Sequence, residues 1–252
     1  MASKVLVTAG ASGIGLAMVR AFHQEGASVF TCDIDEAGLA RAQGEMSGLQ
    51  IAPCDIGDRS AVQAMVADAA TRLGGLDVLV NNAGIAGPTG PVQDTDPDAW
   101  EEVLRVDLTG AFLVAKHAIP HLTRSGGGTI INMASAAGRF GYANRSPYAA
   151  AKWGLIGLTK TLSMELGQYG ICVNAIAPGA VDGDRIRRVF EGRARISGRS
   201  PEEEMEGALA HQSVKRLAQA SEIAALAVFL ASPAARSISG QVIPVDGDQQ
   251  RN

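Results

Sequence analysis

Short runs of consecutive apolar and β-branched residues alternate along the chain with longer stretches in which apolar residues recur every three or four positions. The short runs predict strands over 5–8, 28–32, 49–53, 77–80, 129–133, 172–176 and 241–245. The longer stretches predict helices over 14–24, 60–72, 100–119, 148–169 and 222–231. A strand without polar alternation is buried on both faces, as a parallel strand covered by helices is. Seven such strands joined by helical crossovers specify an α/β fold built on a doubly wound, parallel, seven-stranded sheet. No linker, repeat or low-complexity tract divides the sequence, so residues 1–252 are expected to form a single domain. The rhythm breaks over 183–215, a charged, partly helical insertion between the last two strands. Ligands of open sheets sit outside the carboxyl ends of the strands. The insertion starts there and is expected to act as a substrate lid.

Composition narrows the class. The chain is 46 % hydrophobic and 19 % charged with 30 glycines, which is globular and not disordered. A net charge of −4 argues against nucleic acid as the main partner. Cys32, Cys54 and Cys172 are an odd, scattered set in apolar stretches, so buried structural thiols are expected rather than a disulfide framework. His23, His117, His121 and His211 show no ligand spacing, and no metal is expected. The N-terminal Lys4-Val5-Leu6-Val7-Thr8 reads as a strand rather than a targeting segment, and no apolar run is long enough to span a membrane. A cytoplasmic protein acting on a small molecule, with no membrane partner, is the expectation.

Two places carry chemistry. The first is Thr8-Ala9-Gly10-Ala11-Ser12-Gly13-Ile14-Gly15, which follows the first strand and opens a helix. Gly10, Gly13 and Gly15 let the backbone approach a pyrophosphate, and the helix start at Ser12 and Ile14 supplies N–H donors and a positive dipole end. Asp33, with Ile34 beside it, ends the second strand, where a carboxylate accepts hydrogen bonds from ribose hydroxyls and repels a 2′-phosphate. An NADP site would want a basic residue there or just before Gly13, where Ser12 stands, so NAD is expected as cofactor.

The second is Ser135, followed thirteen residues later by Tyr148 and four residues after that by Lys152. Tyr148 and Lys152 share one helix face. An ammonium beside a phenol favours the phenolate, and a tyrosine so placed exchanges a proton with an alcohol oxygen. Ser135, brought alongside, can hydrogen-bond the same oxygen.

These motifs, with Asp55-Ile56, Asn81-Asn82-Ala83-Gly84 and Pro178-Gly179, resemble the short-chain dehydrogenase/reductase family over nearly the whole chain. The resemblance implies a Rossmann-type fold and oxidoreductase activity, with Tyr148 as acid/base, Ser135 orienting the substrate oxygen, and Lys152 holding the nicotinamide ribose. It implies that Asp55 and Ile56 contact adenine, that Asn82, Ala83 and Gly84 line the ribose, and that the loop after Pro178 and Gly179 reaches the nicotinamide. It also implies a homotetramer, with the helices over 100–119 and 148–169 at the interface. Three positions depart from the family pattern: Ala9 replaces the first glycine, Asp107 replaces the asparagine that completes a catalytic tetrad, and Gly183 replaces a threonine. Asp107 keeps its place in the catalytic set, its family role resting largely on a backbone carbonyl that holds a water. The backbone of Val181 is expected to supply the carboxamide contact.

Arg145 lies three residues before Tyr148, and Arg139 lies in the same segment, so both are candidates to hold an anionic group of the substrate, against the alternative of structural pairs. The lid holds six arginines between Arg185 and Arg199. Its apolar stripe of Ile186, Val189 and Phe190 turns Arg187 and Arg188 outward, and the acidic run Glu202-Glu203-Glu204 favours a charge match within the lid or between subunits over anion capture. The leading reading is an NAD-dependent enzyme that moves a hydride between nicotinamide and a secondary alcohol or ketone, of hydroxy acid, polyol or sugar type. A non-enzymatic NAD(H)-sensing protein and an epimerase or dehydratase on the same scaffold remain the alternatives.

Overall fold

The computed structural model describes residues 3–250; the outermost residues of the expected unit lie outside the described residues. The strands are β1 (Lys4–Thr8), β2 (Ser28–Asp33), β3 (Gln50–Pro53), β4 (Val78–Asn81), β5 (Gly128–Met133), β6 (Ile171–Pro178) and β7 (Val242–Val245). They form one seven-stranded sheet in the order β3-β2-β1-β4-β5-β6-β7, with every pair parallel. The chain winds outward from β1 to β3 and then returns to place β4 beside β1, so the strand order reverses between β1 and β4. A crevice for ligands opens at such a switch point.

The helices are α1 (Gly13–Gln24), α2 (Glu36–Glu45), α3 (Arg59–Leu73), α4 (Pro97–Leu104), α5 (Ala111–Arg124), α6 (Ser146–Leu166), α7 (Asp184–Ser197), α8 (Pro201–Ala210) and α9 (Ala220–Ala231). Alternation along the strands divides the core in two. Leu6, Leu79 and Ile130 pack with α3, α5 and α6, whereas Val5, Val7, Val78, Val80 and Ile131 pack with α1, α2 and α9. Both faces are therefore apolar, which accounts for the unbroken hydrophobic runs. Among the described residues no helix is long and apolar enough to cross a membrane.

Three elements depart from the sequence expectation. The helix α2 carries only Leu39 and Ala42 as buried non-glycine residues, too sparse a stripe to read as a helix; the Asp35 side chain, accepting from Gly38 N, caps it. The helix expected over 100–119 is a rod of three pieces: α4, a π-helical turn at Arg105–Gly110, and α5. The insertion over 183–215, the expected lid, holds a pair of helices, α7 and α8, with a capping box at Ser200 and Glu203 starting the second. Cys32 and Cys54 are buried as expected, but Cys172, near the start of β6 and ahead of the stretch that β7 pairs with, is only half-buried.

A polar ladder crosses the core beneath the crevice. Asn81 Nδ2 donates to Asn132 Oδ1 (2.9 Å), Asn132 Nδ2 to Thr159 Oγ1 (2.9 Å), and the Thr159 hydroxyl to the Leu155 carbonyl (2.8 Å). It ties β4, β5 and α6 together in low dielectric, with one buried acceptor, Asn81 Oδ1, left without a partner. That arrangement sets the height of α6, and hence of Tyr148 and Lys152, over the sheet.

Candidate active site

The turn after β1 is built by glycines with different tasks. Gly13 has φ 55°, and a Cβ there would meet nothing within 4 Å, so this side of the turn is open. A Cβ on Gly15 would collide with the Ala9 carbonyl oxygen, and one on Gly10 with the Thr31 hydroxyl. Ala9 carries its Cβ at φ 56°, a left-handed conformation that costs an L-residue roughly 1–2 kcal/mol. Asn82 holds the turn from the neighbouring strand: its Nδ2 donates to the carbonyls of Thr8 and Ala9, both at 3.0 Å. The buried Thr8 hydroxyl accepts from the amides of Asn82 (2.9 Å) and Ala83 (3.0 Å). Ser12 caps α1 with no side-chain hydrogen bond, so the first-turn amides have no side-chain acceptor. Open space over Gly13 and uncapped amides fit a pyrophosphate.

Asp33 Oδ2 accepts from Ala11 N (3.0 Å) and Oδ1 from Asp35 N (3.1 Å), which fixes the carboxylate at the end of β2. Ile34 beside it is 75 % exposed. Asp55 accepts from Gly57 N (2.8 Å) and from Arg105 Nη1 (3.0 Å), and Ile56 is buried against Gly110. The guanidinium of Arg105 also holds the Glu102 carboxyl below its usual range. At the far side, Pro178 ends β6, and a Cβ on Gly179 would press on the Asp246 backbone. The bridge from this loop to Ala218 uses the Ala180 carbonyl and the Asp182 amide, so Val181's own amide and carbonyl stay outside it. Gly183 caps α7 at φ 145°, ψ 175°, a region essentially closed to residues with a Cβ, which gives the loss of threonine a backbone cause.

Tyr148 and Lys152 occupy successive turns at the start of α6, with the Lys152 ammonium 5.5 Å from the Tyr148 ring centroid. Lys152 is buried; its Nζ donates to the Met133 carbonyl at 3.0 Å and lies 3.2 Å from Asp107 Oδ2. Asp107 is fully buried in the π-helical turn, with Oδ1 accepting from Ile85 N at 2.6 Å and Gly84 packed against its carboxylate. The substitution of aspartate for the family's asparagine thus makes a buried ion pair with Lys152 through the side chain itself. Ser135 follows β5 in extended conformation, and its Oγ accepts from Ala137 N at 3.1 Å.

Ser135 also lines a cleft of about 390 Å³ with Tyr142, Gly179, Phe190 and Arg193. Neither Arg139 nor Arg145 is on its wall. Arg139 Nη1 binds the buried Asp246 at 2.7 Å. Arg145, 2 % exposed, donates from Nη2 to the Ala86 carbonyl at 2.6 Å and stacks 5.1 Å from the Tyr148 centroid. Burial, more than anything else, lowers the pKa of its guanidinium. The alternative of structural pairs therefore describes the bonds that both arginines make. Of the six lid arginines that the sequence favours for a charge match, two stand near this region: Arg193 lines the cleft, and Arg185 lies 5.9 Å from the Tyr148 centroid. Arg193 lies three and seven residues beyond Phe190 and Ile186, a helical spacing that marks it as sharing the apolar face.

With this geometry, the chain belongs to the short-chain dehydrogenase/reductase family. Residues 8–247 match the family model described as enoyl-(acyl carrier protein) reductase. The chain is 38 % identical over 246 residues to the cis-4-hydroxycyclohexanecarboxylate dehydrogenase of Sinomonas cyclohexanicum, covering 96 % of this chain and 94 % of that one. It is 35 % identical over 247 residues to the D-beta-hydroxybutyrate dehydrogenase of Cupriavidus necator, covering 96 % and 95 %. A crystal structure of a variant actinorhodin polyketide ketoreductase with NADPH superposes with a TM-score of 0.93 at 35 % identity, over 98 % of each chain. Fold, motifs and relatives define an oxidoreductase of a family that uses nicotinamide cofactors.

Proposed function

We propose that the protein is an NAD-dependent dehydrogenase or carbonyl reductase acting on a small polar or anionic secondary alcohol or ketone. The observation that carries this reading is the buried Lys152 ammonium, held by Met133 and Asp107 beside the Tyr148 ring, at the crevice end of the sheet. When bound, the nicotinamide supplies or accepts the hydride. Tyr148 takes the hydroxyl proton as the substrate is oxidised and returns it on reduction. Ser135 accepts from Ala137 and so keeps its own proton for the substrate oxygen. Lys152 sets its positive charge beside the ring of the phenol that exchanges the proton, and Asp107 positions Lys152.

The cofactor is assigned to the crevice. Gly10, Ser12, Gly13, Ile14 and Gly15 take the pyrophosphate side. Asp33, Ile34, Asp55 and Ile56 take the adenosine. Asn82, Ala83, Gly84, Pro178, Gly179 and Val181 take the nicotinamide half. The fixed Asp33 carboxylate supports NAD over NADP, although the ketoreductase relative was crystallised with NADPH. Hydroxy-carboxylates appear in the names of two relatives, which supports a small acidic substrate. A homotetramer is supported by Phe112 on α5 and Trp153 and Met164 on α6, large apolar side chains 46 %, 51 % and 86 % exposed. We place the protein in the cytoplasm.

Tyr148→Phe should lower turnover on the order of 10²-fold or more while melting temperature and NAD affinity hold. Turnover within tenfold of wild type would sink the assignment. Wild type should prefer NAD over NADP by at least about tenfold, from repulsion and lost ribose hydrogen bonds, and Asp33→Ser should narrow that margin. Equal use of both cofactors by wild type would remove Asp33 from the selectivity role.

A further inference from the structure

Three guanidinium groups converge on two tyrosine rings, of which Tyr142 lines the cleft and Tyr148 stands behind it. Arg145 lies 5.1 Å from the Tyr148 centroid and 6.0 Å from that of Tyr142. From α7, Arg185 lies 5.9 Å from the Tyr148 centroid, and Arg193 lies 5.0 Å from Tyr142 and 5.8 Å from Phe190. The groups are close enough to oppose one another: the charges of Arg193 and Arg185 add to burial in lowering the pKa of Arg145. Arg145 is nearly fully buried, and its Nε has no hydrogen-bond partner.

The carboxylates nearby are engaged elsewhere. Glu204 lines the cleft but turns to Ser197 Oγ (2.7 Å) and Arg199 (3.8 Å), Asp182 pairs with Arg187 (3.5 Å), and Asp246 pairs with Arg139 (2.7 Å). Among the described residues no carboxylate lies within 4 Å of the Arg185 or Arg193 guanidinium. Arg187 and Arg199 have acidic partners within the lid region, whereas Arg185, Arg188, Arg193 and Arg195 have none within 4 Å among the described residues; of these four, Arg193 lines the cleft and Arg185 stands 5.9 Å from the Tyr148 ring centroid. Arg145 is buried, Arg193 half-buried and Arg185 exposed at the rim; gathering like charges around a buried one is unfavourable unless an anion relieves it, and a guanidinium fork matches a carboxylate.

We propose that Arg185 and Arg193 form the carboxylate subsite of this enzyme, so that its substrate is a free hydroxy acid or keto acid held by the lid while its carbinol carbon faces Tyr148. Arg145, bound to Ala86, is the fixed positive floor of that subsite and not the clamp. The inference rests on the dehydrogenase reading and deepens it.

Binding tests the subsite without turnover. In the presence of NAD, cyclohexanecarboxylate, which has no hydroxyl to oxidise, should bind wild type at least tenfold more tightly than cyclohexanecarboxamide by calorimetry. Arg185→Gln and Arg193→Gln should each bring that ratio to within about threefold of unity. Arg188→Gln, on the outer face of α7, should keep it. A wild-type ratio near one, or a ratio that survives both inner substitutions, overturns the proposal. Kinetics gives the second arm. The carboxylate should exceed the amide in kcat/KM by at least tenfold for cis-4-hydroxycyclohexanecarboxylate and for 3-hydroxybutyrate, with the difference in KM. A neutral thioester, acetoacetyl-N-acetylcysteamine, as the best substrate would overturn the subsite in favour of a carrier-linked acyl chain. Selective carboxylate binding with no turnover of any alcohol or ketone would leave the subsite standing and sink the dehydrogenase reading.

Discussion

The turn after β1 and the lid are both rich in polar contacts, yet they are held in opposite ways. At the turn, the bonds run between backbone groups and buried side chains of adjacent strands, and Gly10 and Gly15 sit against atoms that leave no room for a methyl group. In the lid, the contacts are side-chain pairs on the surface: Arg187 with Asp182, Arg199 with Glu204, and the capping box at Ser200. Exposed pairs contribute little, about 0–1 kcal/mol each, and helix α8 has no buried residue. On the function proposed, a crevice for one invariant diphosphate is served by rigid shape, and a wall that selects among substrates by charges whose replacement costs the fold little.

The same substitution made in both regions should break that comparison if it is wrong. Gly15→Ala drives a methyl group into the Ala9 carbonyl and should destabilise the protein by about 3 kcal/mol, a fall in melting temperature of roughly 6–10 °C, with NAD binding lost. Unchanged melting would mean that the turn yields more than its packing indicates. Gly207→Ala, inside α8, places its methyl group no closer than 3.5 Å to Arg199. It should strengthen that helix by about 0.5–1 kcal/mol through backbone entropy alone, seen as slower amide exchange in α8 rather than in melting. Faster exchange there would refute an open lid surface.

The smallest effect is one of pH. Glu203, exposed in the lid, has its carboxyl held below the ordinary 4.5 by the Ser200 amide and hydroxyl. A carboxyl depressed on folding contributes stability above its unfolded value and loses it as pH falls through the folded value. Protection of the α8 first-turn amides should therefore hold at pH 5 and above and decline progressively below 4.5, while the β1 amides stay protected. Simultaneous loss in both places would mean that lid and crevice open as one unit.

What could be read from the sequence follows from the range of the interactions. The strands were legible to within a residue or two because burial on both faces writes itself as an unbroken apolar run. Tyr148 and Lys152 were legible because their relation is one helical turn, and Ser135 because it stands just past a strand and thirteen residues before Tyr148. The pairing of Lys152 with Asp107 was not, since it spans 45 positions and depends on a π-helical turn whose residues look like ordinary helix. The partners of the arginines were hidden for a similar reason. Arg145 is near Tyr148 in sequence and stacks on its ring, but the distant Ala86 carbonyl takes its guanidinium. Arg193 is 45 positions beyond Tyr148 and reaches the cleft only because the stripe of Ile186 and Phe190 turns that face of α7 inward.

The turn at Arg105–Gly110 has a consequence for anyone recombining this chain with its relatives. A π-helical turn accommodates one more residue than an α-helical turn would, without forming a loop. Upstream and downstream segments thus lie out of phase by about 100° of helical rotation relative to an uninterrupted rod. A chimera spliced inside those six positions, or an aligner's single-residue gap placed there, would rotate either α4 or α5 away from its neighbours. Crossover points for gene shuffling belong outside the turn, so that Asp107 is inherited together with the glycine that closes it.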